Sequence, residues 1–135
     1  MHFKALTIQE KQKIKEFLIS IAIKIRMIDD IMRQYDTNIY DHIDNNVGFL
    51  KIKSDKKKYN LSVREACNKI IHAKSLTFNY NATKDKIEYL KPIVNFIGKK
   101  NKNHWKATID IYKFVEQAVY FSNEYDENWS ISGYD

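Results

Sequence analysis

Thr7-Ile8-Gln9-Glu10 has the spacing of a capping box, in which the Thr7 hydroxyl and the Glu10 carboxylate satisfy each other's orphan backbone amides. A helix is predicted to start there. Behind it Ile14, Phe17, Leu18, Ile21, Ile25, Ile28, Ile31, Met32 and Tyr35 recur with a period of roughly 3.5 residues, widened by Ala22, Ile23 and Met27, which is the stripe of a helix with one apolar face. At the helical rise, Ile8 to Tyr35 spans roughly 40 Å, long enough to suggest a kink or an extended partner face. Lys15, Lys24, Arg26 and Asp29 interrupt the stripe and exclude a membrane span.

A chain of 135 residues, 44% hydrophobic and 13% aromatic, fits one domain with one core, residues 1–135, and three glycines with one proline argue against a linker-rich chain. The N-terminus lacks an apolar stretch followed by a small-residue cleavage site, so no signal peptide is expected. Cys67 is the single cysteine, which excludes an internal disulfide and a cysteine-built zinc site and points to the cytoplasm. The formal charge is +6 and the pI about 9.2. Clustered lysines attract nucleic acid through counterion release. The Lys, Asn and Ile bias of an AT-rich genome produces the same excess without any binding, and only three of the 23 basic residues are arginines.

Residues 36–60 carry Asp36, Asn38, Asn45, Asn46 and Gly48 around weak apolar signals and are expected to be irregular, with "GFLKIK" as a short strand and "KSDKKKY" as a basic loop. Ser62-Val63-Arg64-Glu65 repeats the capping-box spacing, so a second helix is predicted from Ser62. On it Val63, Ala66, Cys67, Ile70, Ile71 and Ala73 gather on one side, and Arg64, Asn68 and His72 form a ridge along the margin.

After His72 the period changes. "SLTFNY", "PIVNFIG" and "HWKATIDI" are aromatic, β-branched or alternating, as strands are, with "GKKNKN" a polar hairpin connection between the last two and "NATKDKIEYL" a loop or helical turn between the first two. Asp110 suits an N-cap, and Ile111, Phe114, Val115, Ala118, Val119 and Phe121 give a helix to about Asn123, followed by a loosely held acidic and aromatic tail, residues 124–135. The expected fold is α+β: a long N-terminal helix and a second helix packed with a small antiparallel sheet of two to three strands and a C-terminal helix.

Familiar catalytic motifs are absent. There is no Gly-rich phosphate loop, Gly-x-Ser-x-Gly elbow or His-Glu-x-x-His pair, and His2, His42, His72 and His104 lie far apart in sequence, so neither a metal site nor a cofactor is expected. Asp29 and Asp30 point about 100° apart on a helix and do not form a catalytic pair, and Asp41 and Asp44 belong to a solvated loop.

Residues 67–73, "CNKIIHA", resemble the signature helix of the HEPN superfamily, all-α domains that often act as metal-independent endoribonucleases. In that family an Arg is followed after four to six residues by His, commonly with a polar residue directly after the Arg. Asn68 and His72 match, and Cys67 stands where the Arg is expected. A thiol cannot hold a phosphate by paired charge-assisted bonds. Arg64, one turn earlier on the ridge, is the candidate replacement. The resemblance implies His72 as general acid or base, Asn68 orienting the phosphate or the imidazole, Arg64 stabilising charge on phosphorus, and a homodimer with both motifs at the interface. Lys56, Lys57 and Lys58 in one segment and Lys99, Lys100, Lys102 and Lys106 in another are candidates to guide RNA, with Trp105 or a tyrosine stacking a base.

Three readings compete. In the first, which the residues favour, Asn68 and His72 satisfy neighbouring backbone groups and do no chemistry. The second is RNA binding, with or without cleavage. In the third the chain is a protein-interaction module of the antitoxin, immunity or mobile-element accessory kind, with Tyr125, Trp129 and Tyr134 of the tail docking on a partner.

Overall fold

The computed structural model describes residues 6–34, 46–82, 84 and 88–131, with the side chains of 80–82, 88–90 and 124–131 left aside. His2, His42, Asp41, Asp44 and Tyr134, named above, lie outside the described residues, as do the side chains of Tyr125 and Trp129. The fold is α+β, in the order α1 (Ile8–Gln34), β1 (Gly48–Ile52), β2 (Lys58–Leu61), α2 (Val63–His72), β3 (Ser75–Ala82), β4 (Glu88–Lys100), β5 (Asn103–Asp110) and α3 (Ile111–Ile131).

The capping box of α1 forms in full, and at α2 Ser62 caps the helix while Glu65 takes its hydroxyl. Glu10 N–H donates to Thr7 Oγ1 at 3.1 Å and Thr7 N–H to Glu10 Oε1 at 3.0 Å. At α2, Glu65 N–H donates to Ser62 Oγ at 3.2 Å, while the Ser62 hydroxyl donates to Glu65 Oε1 at 2.9 Å. Lys113 N–H reaches Asp110 Oδ1 at 3.2 Å, so Asp110 opens α3. These local bonds occupy amides that the first helical turn leaves without partners.

The sheet has five strands, in the order β2-β1-β5-β4-β3, and every pairing is antiparallel. This corrects the expectation of two to three. The Lys58–Leu61 segment, expected within a basic loop, is an edge strand because β1 supplies its ladder partners, from Gly48 opposite Leu61 to Lys51 opposite Lys58. Lysine at an edge also discourages pairing with a further strand. β3 and β4 are longer than the alternation predicts and use residues expected to form their connection. Between β4 and β5 only Asn101 and Lys102 remain in the turn, with φ of 50° and 71°. Positive φ at both positions is the type I′ arrangement that matches strand twist. α3 runs on to Ile131, so residues 124–131, expected as a loose tail, continue the helix.

β2 and β3 are opposite edges of the sheet, so the segment joining them, α2, must cross its width. α2 and α3 pack against the sheet, and α1 packs chiefly on α2 and α3. The core between these layers includes Leu18, Ile25, Ile70, Phe96, Phe114 and Phe121, all buried. Each such side chain contributes about 1.5–3 kcal/mol by leaving water. Along β5, Trp105, Ala107 and Ile109 face the helices, and His104, Lys106 and Thr108 face away. Gly98 lies opposite Trp105, and a Cβ there would meet Trp105 Cζ2 at 2.2 Å, so only glycine lets the indole lie on β4.

Candidate functional site: a cationic groove beside α2

The ridge predicted on α2 divides. Arg64 turns toward α1 and donates to Asp29 and Asp30, the latter at 3.0 Å. Asp29 is only 3% exposed and also takes the Arg33 guanidinium through both oxygens, at 2.9 and 3.0 Å. Burial and the nearby Arg26 charge pull the Arg64 pKa below its ordinary value. An arginine carrying two carboxylates already has the anions it needs, and Arg64 joins α2 to α1. The adjacent aspartates diverge as helical neighbours must, and one guanidinium bridges them.

Asn68 and His72 turn the other way. They line an open groove of about 680 Å³ between α2 and the β4–β5 end of the sheet, together with Arg26, Lys69, Lys99 and Lys100. Glu65, Leu50 and Trp105 complete its walls. Four cations thus face one carboxylate. His72 is exposed, while Asn68 and Lys69 are half-buried. Burial, and then repulsion from Lys100, lowers the pKa of Lys69. Its ammonium sits 4.5 Å from the centroid of the Trp105 ring, a cation–π contact. Arg26 Nε is buried with no hydrogen-bond partner among the described residues.

Trp105 is not available to stack a base, because it is 5% exposed, abutted by Gly98 and covered by Lys69. It forms the floor of the groove. The predicted basic segments divide as well. Lys99 and Lys100 join the groove, Lys102 is exposed in the β4–β5 turn, and Lys57 is exposed in the turn before β2. Lys56, Lys58 and Lys106 belong to the opposite face of the sheet. Arg26 and Lys69 were missed in the sequence. Arg26 looked like a mere interruption of the α1 stripe, and its signal was that an arginine within an apolar face needs something to bind.

Cys67 is fully buried in the α2 face, and burial pushes its thiol up to about 12, so it is a small hydrophobe with no nucleophilic character. Among the described residues no group of three or more His, Cys, Asp or Glu is placed to hold a metal, and no helix is long and apolar enough to cross a membrane.

The class that fold and site define together is an α+β domain with its helices on one face of a five-stranded antiparallel sheet and a cationic groove at one end. No family model matches the chain, and no curated protein or solved structure matches it either.

Proposed function

We propose that this protein binds single-stranded RNA in the groove beside α2 and does not cleave it. The observation that carries the reading is the convergence of Arg26, Lys69, Lys99 and Lys100 on one open groove that also holds Asn68 and His72. Cations supply the sequence-independent attraction to phosphates. An amide and an imidazole beside them donate and accept, which suits a ribose 2′-hydroxyl. The half-buried ammonium of Lys69, short of solvent and pressed by Lys100, gains most from a bound anion.

Cleavage is left out because Arg64, the group assigned to phosphorus, is spent on Asp29 and Asp30. The HEPN resemblance implies an all-helical fold, whereas this chain has a five-stranded sheet. The reading therefore stands on the groove. A second reading, a protein-interaction module, is favoured by Phe17 and Met27 of α1 and Tyr112 of α3, which are 63%, 58% and 74% exposed.

Fluorescence anisotropy with labelled (U)20 and (U)4 tests the proposal. Lys69→Gln with Lys100→Gln is expected to weaken both complexes and to lower the slope of log K against log salt by about 1.4, near 0.7 per phosphate contact. Labelled RNA is expected to stay intact in the presence of a chelator. Cleavage that disappears in His72→Ala would restore the nuclease reading. No RNA binding, with one protein co-purifying regardless of His72→Ala, would favour the interaction module.

A further inference from the structure

The face of the sheet turned away from the helices carries a second charged feature. Paired residues of antiparallel strands point to the same side, and the register sets Lys58 opposite Lys51 and Lys51 opposite Lys106. Three ammonium-bearing side chains therefore stand in one row across β2, β1 and β5, with strands about 4.8 Å apart. A neighbouring row holds His104 opposite Lys99, with Lys53 bonded to the same strand through its N–H to the His104 carbonyl at 2.8 Å. Lys51, Lys53, Lys56, Lys58, His104 and Lys106 are all exposed. Among the described residues no helix covers this face.

Like charges directly opposite each other destabilise a sheet, and this face carries more cations than acids. Among the described residues no carboxylate lies within ion-pair distance of Lys51, Lys58 or Lys106. The nearby acids are engaged elsewhere. Asp55 accepts the Tyr59 hydroxyl and the Lys57 N–H, and Asp110 caps α3. The Phe49 ring lies under the Lys58 ammonium at 4.5 Å, and the exposed Tyr59, paired with Leu50, donates its hydroxyl to Asp55. Such a surface suits a phosphate backbone read without regard to sequence.

The two features meet at one end of the sheet. A cleft of about 570 Å³ lined by Lys51, Lys53, Lys56, His104 and Lys106, with Asp55 as its one carboxylate, opens on the outer face, and it shares Trp105 with the inner groove. Between them lies a smaller hollow lined by Lys69, Lys100, Asn101 and Asn103. β3 begins at Ser75, opposite Ile97, so no strand flanks Lys99 beyond that point. Its register puts it beside His104, and the residue also borders the inner groove.

We propose that the lysine row Lys58, Lys51 and Lys106 is a second contact surface for the same RNA strand, which passes around the β4–β5 turn from the groove onto the open sheet face. The inference rests on the groove reading. A short RNA reaches the groove alone, and a long one fills both.

The experiment compares Lys51→Gln/Lys58→Gln/Lys106→Gln with the Lys69→Gln/Lys100→Gln pair and the unaltered chain, using (U)4 and (U)20 between 50 and 200 mM salt. The triple variant is expected to keep the affinity for (U)4 and to lower the (U)20 salt slope by about 2, so that its fourfold salt increase costs roughly 20-fold less affinity than in the unaltered chain. An unchanged (U)20 slope, with the groove pair still weakened, overturns the second surface and leaves the groove standing. A triple variant that weakens (U)20 while the groove pair does not keeps the surface and removes the groove. Binding of the unaltered chain to phosphatidylserine vesicles that the triple variant loses, with (U)20 unaffected, assigns the row to a lipid surface and overturns the proposal.

Discussion

The Arg64 guanidinium bridges Asp29 and Asp30 across 35 and 34 positions of chain, and the buried carboxylate of Asp29 takes Arg33 as well. The pairing ties α2 to α1 outside the groove that Asn68 and His72 line. Arg64→Ala leaves a buried carboxylate with only the more exposed Arg33, so a loss of about 2 kcal/mol is expected by urea denaturation. (U)4 affinity is expected to hold. A fall in affinity as large as that of the groove pair, with stability unchanged, would return Arg64 to the site.

Gly98 and Trp105 make a second prediction. A methyl group at Gly98 must push the indole off β4, and such overpacking costs about 1–3 kcal/mol. Gly98→Ala is expected to lower the melting temperature by about 10 °C in a calorimetric scan.

Lys69 couples the groove to a spectroscopic signal. Its ammonium lies over Trp105, so an anion that draws it away changes the surroundings of the indole. In a Trp129→Phe background, Trp105 emission is expected to shift as (U)4 is added, and Lys69→Met is expected to remove the shift.

Cys67 gives a pH dependence. Its folded pKa of about 12 lies above the ordinary 9.0, so the folded state holds the proton more tightly than the unfolded chain. That contribution is complete below pH 9 and is lost as pH rises toward 12. Going from pH 8 to pH 10, the chain is expected to lose about 1 kcal/mol more than Cys67→Ala does, read from paired urea titrations. At pH 8 the native thiol is expected to resist Ellman's reagent until the protein unfolds.

The lysine row makes a prediction independent of any ligand. Removing two directly opposed like-charge pairs is worth about 0.5–1 kcal/mol, so Lys51→Gln/Lys58→Gln/Lys106→Gln is expected to melt higher than the unaltered chain in 20 mM salt. At 0.5 M salt the difference is expected to close, because exposed charges are screened there.

What the sequence by itself determined is what depends on near neighbours. Thr7 with Glu10, Ser62 with Glu65 and Asp110 with Lys113 close bonds within three residues, so the caps that start all three helices were legible. The alternation of Trp105, Ala107 and Ile109 against Lys106 and Thr108 likewise announced β5 and its two faces. The strand count was not legible, since "KYNL" carries no strand pattern of its own and becomes β2 only when β1 offers hydrogen bonds. Nor was the site. Arg64, Asn68 and His72 share a ridge by helical spacing, but spacing says nothing about which neighbour each one meets. Packing decided that: buried Asp29 claimed Arg64, and the crossing of α2 over the sheet set Asn68 and His72 beside Arg26, Lys69 and Lys100. A buried carboxylate draws in the opposite charges that folding supplies, and besides Arg33 one turn away the fold brought Arg64 from 35 residues along the chain.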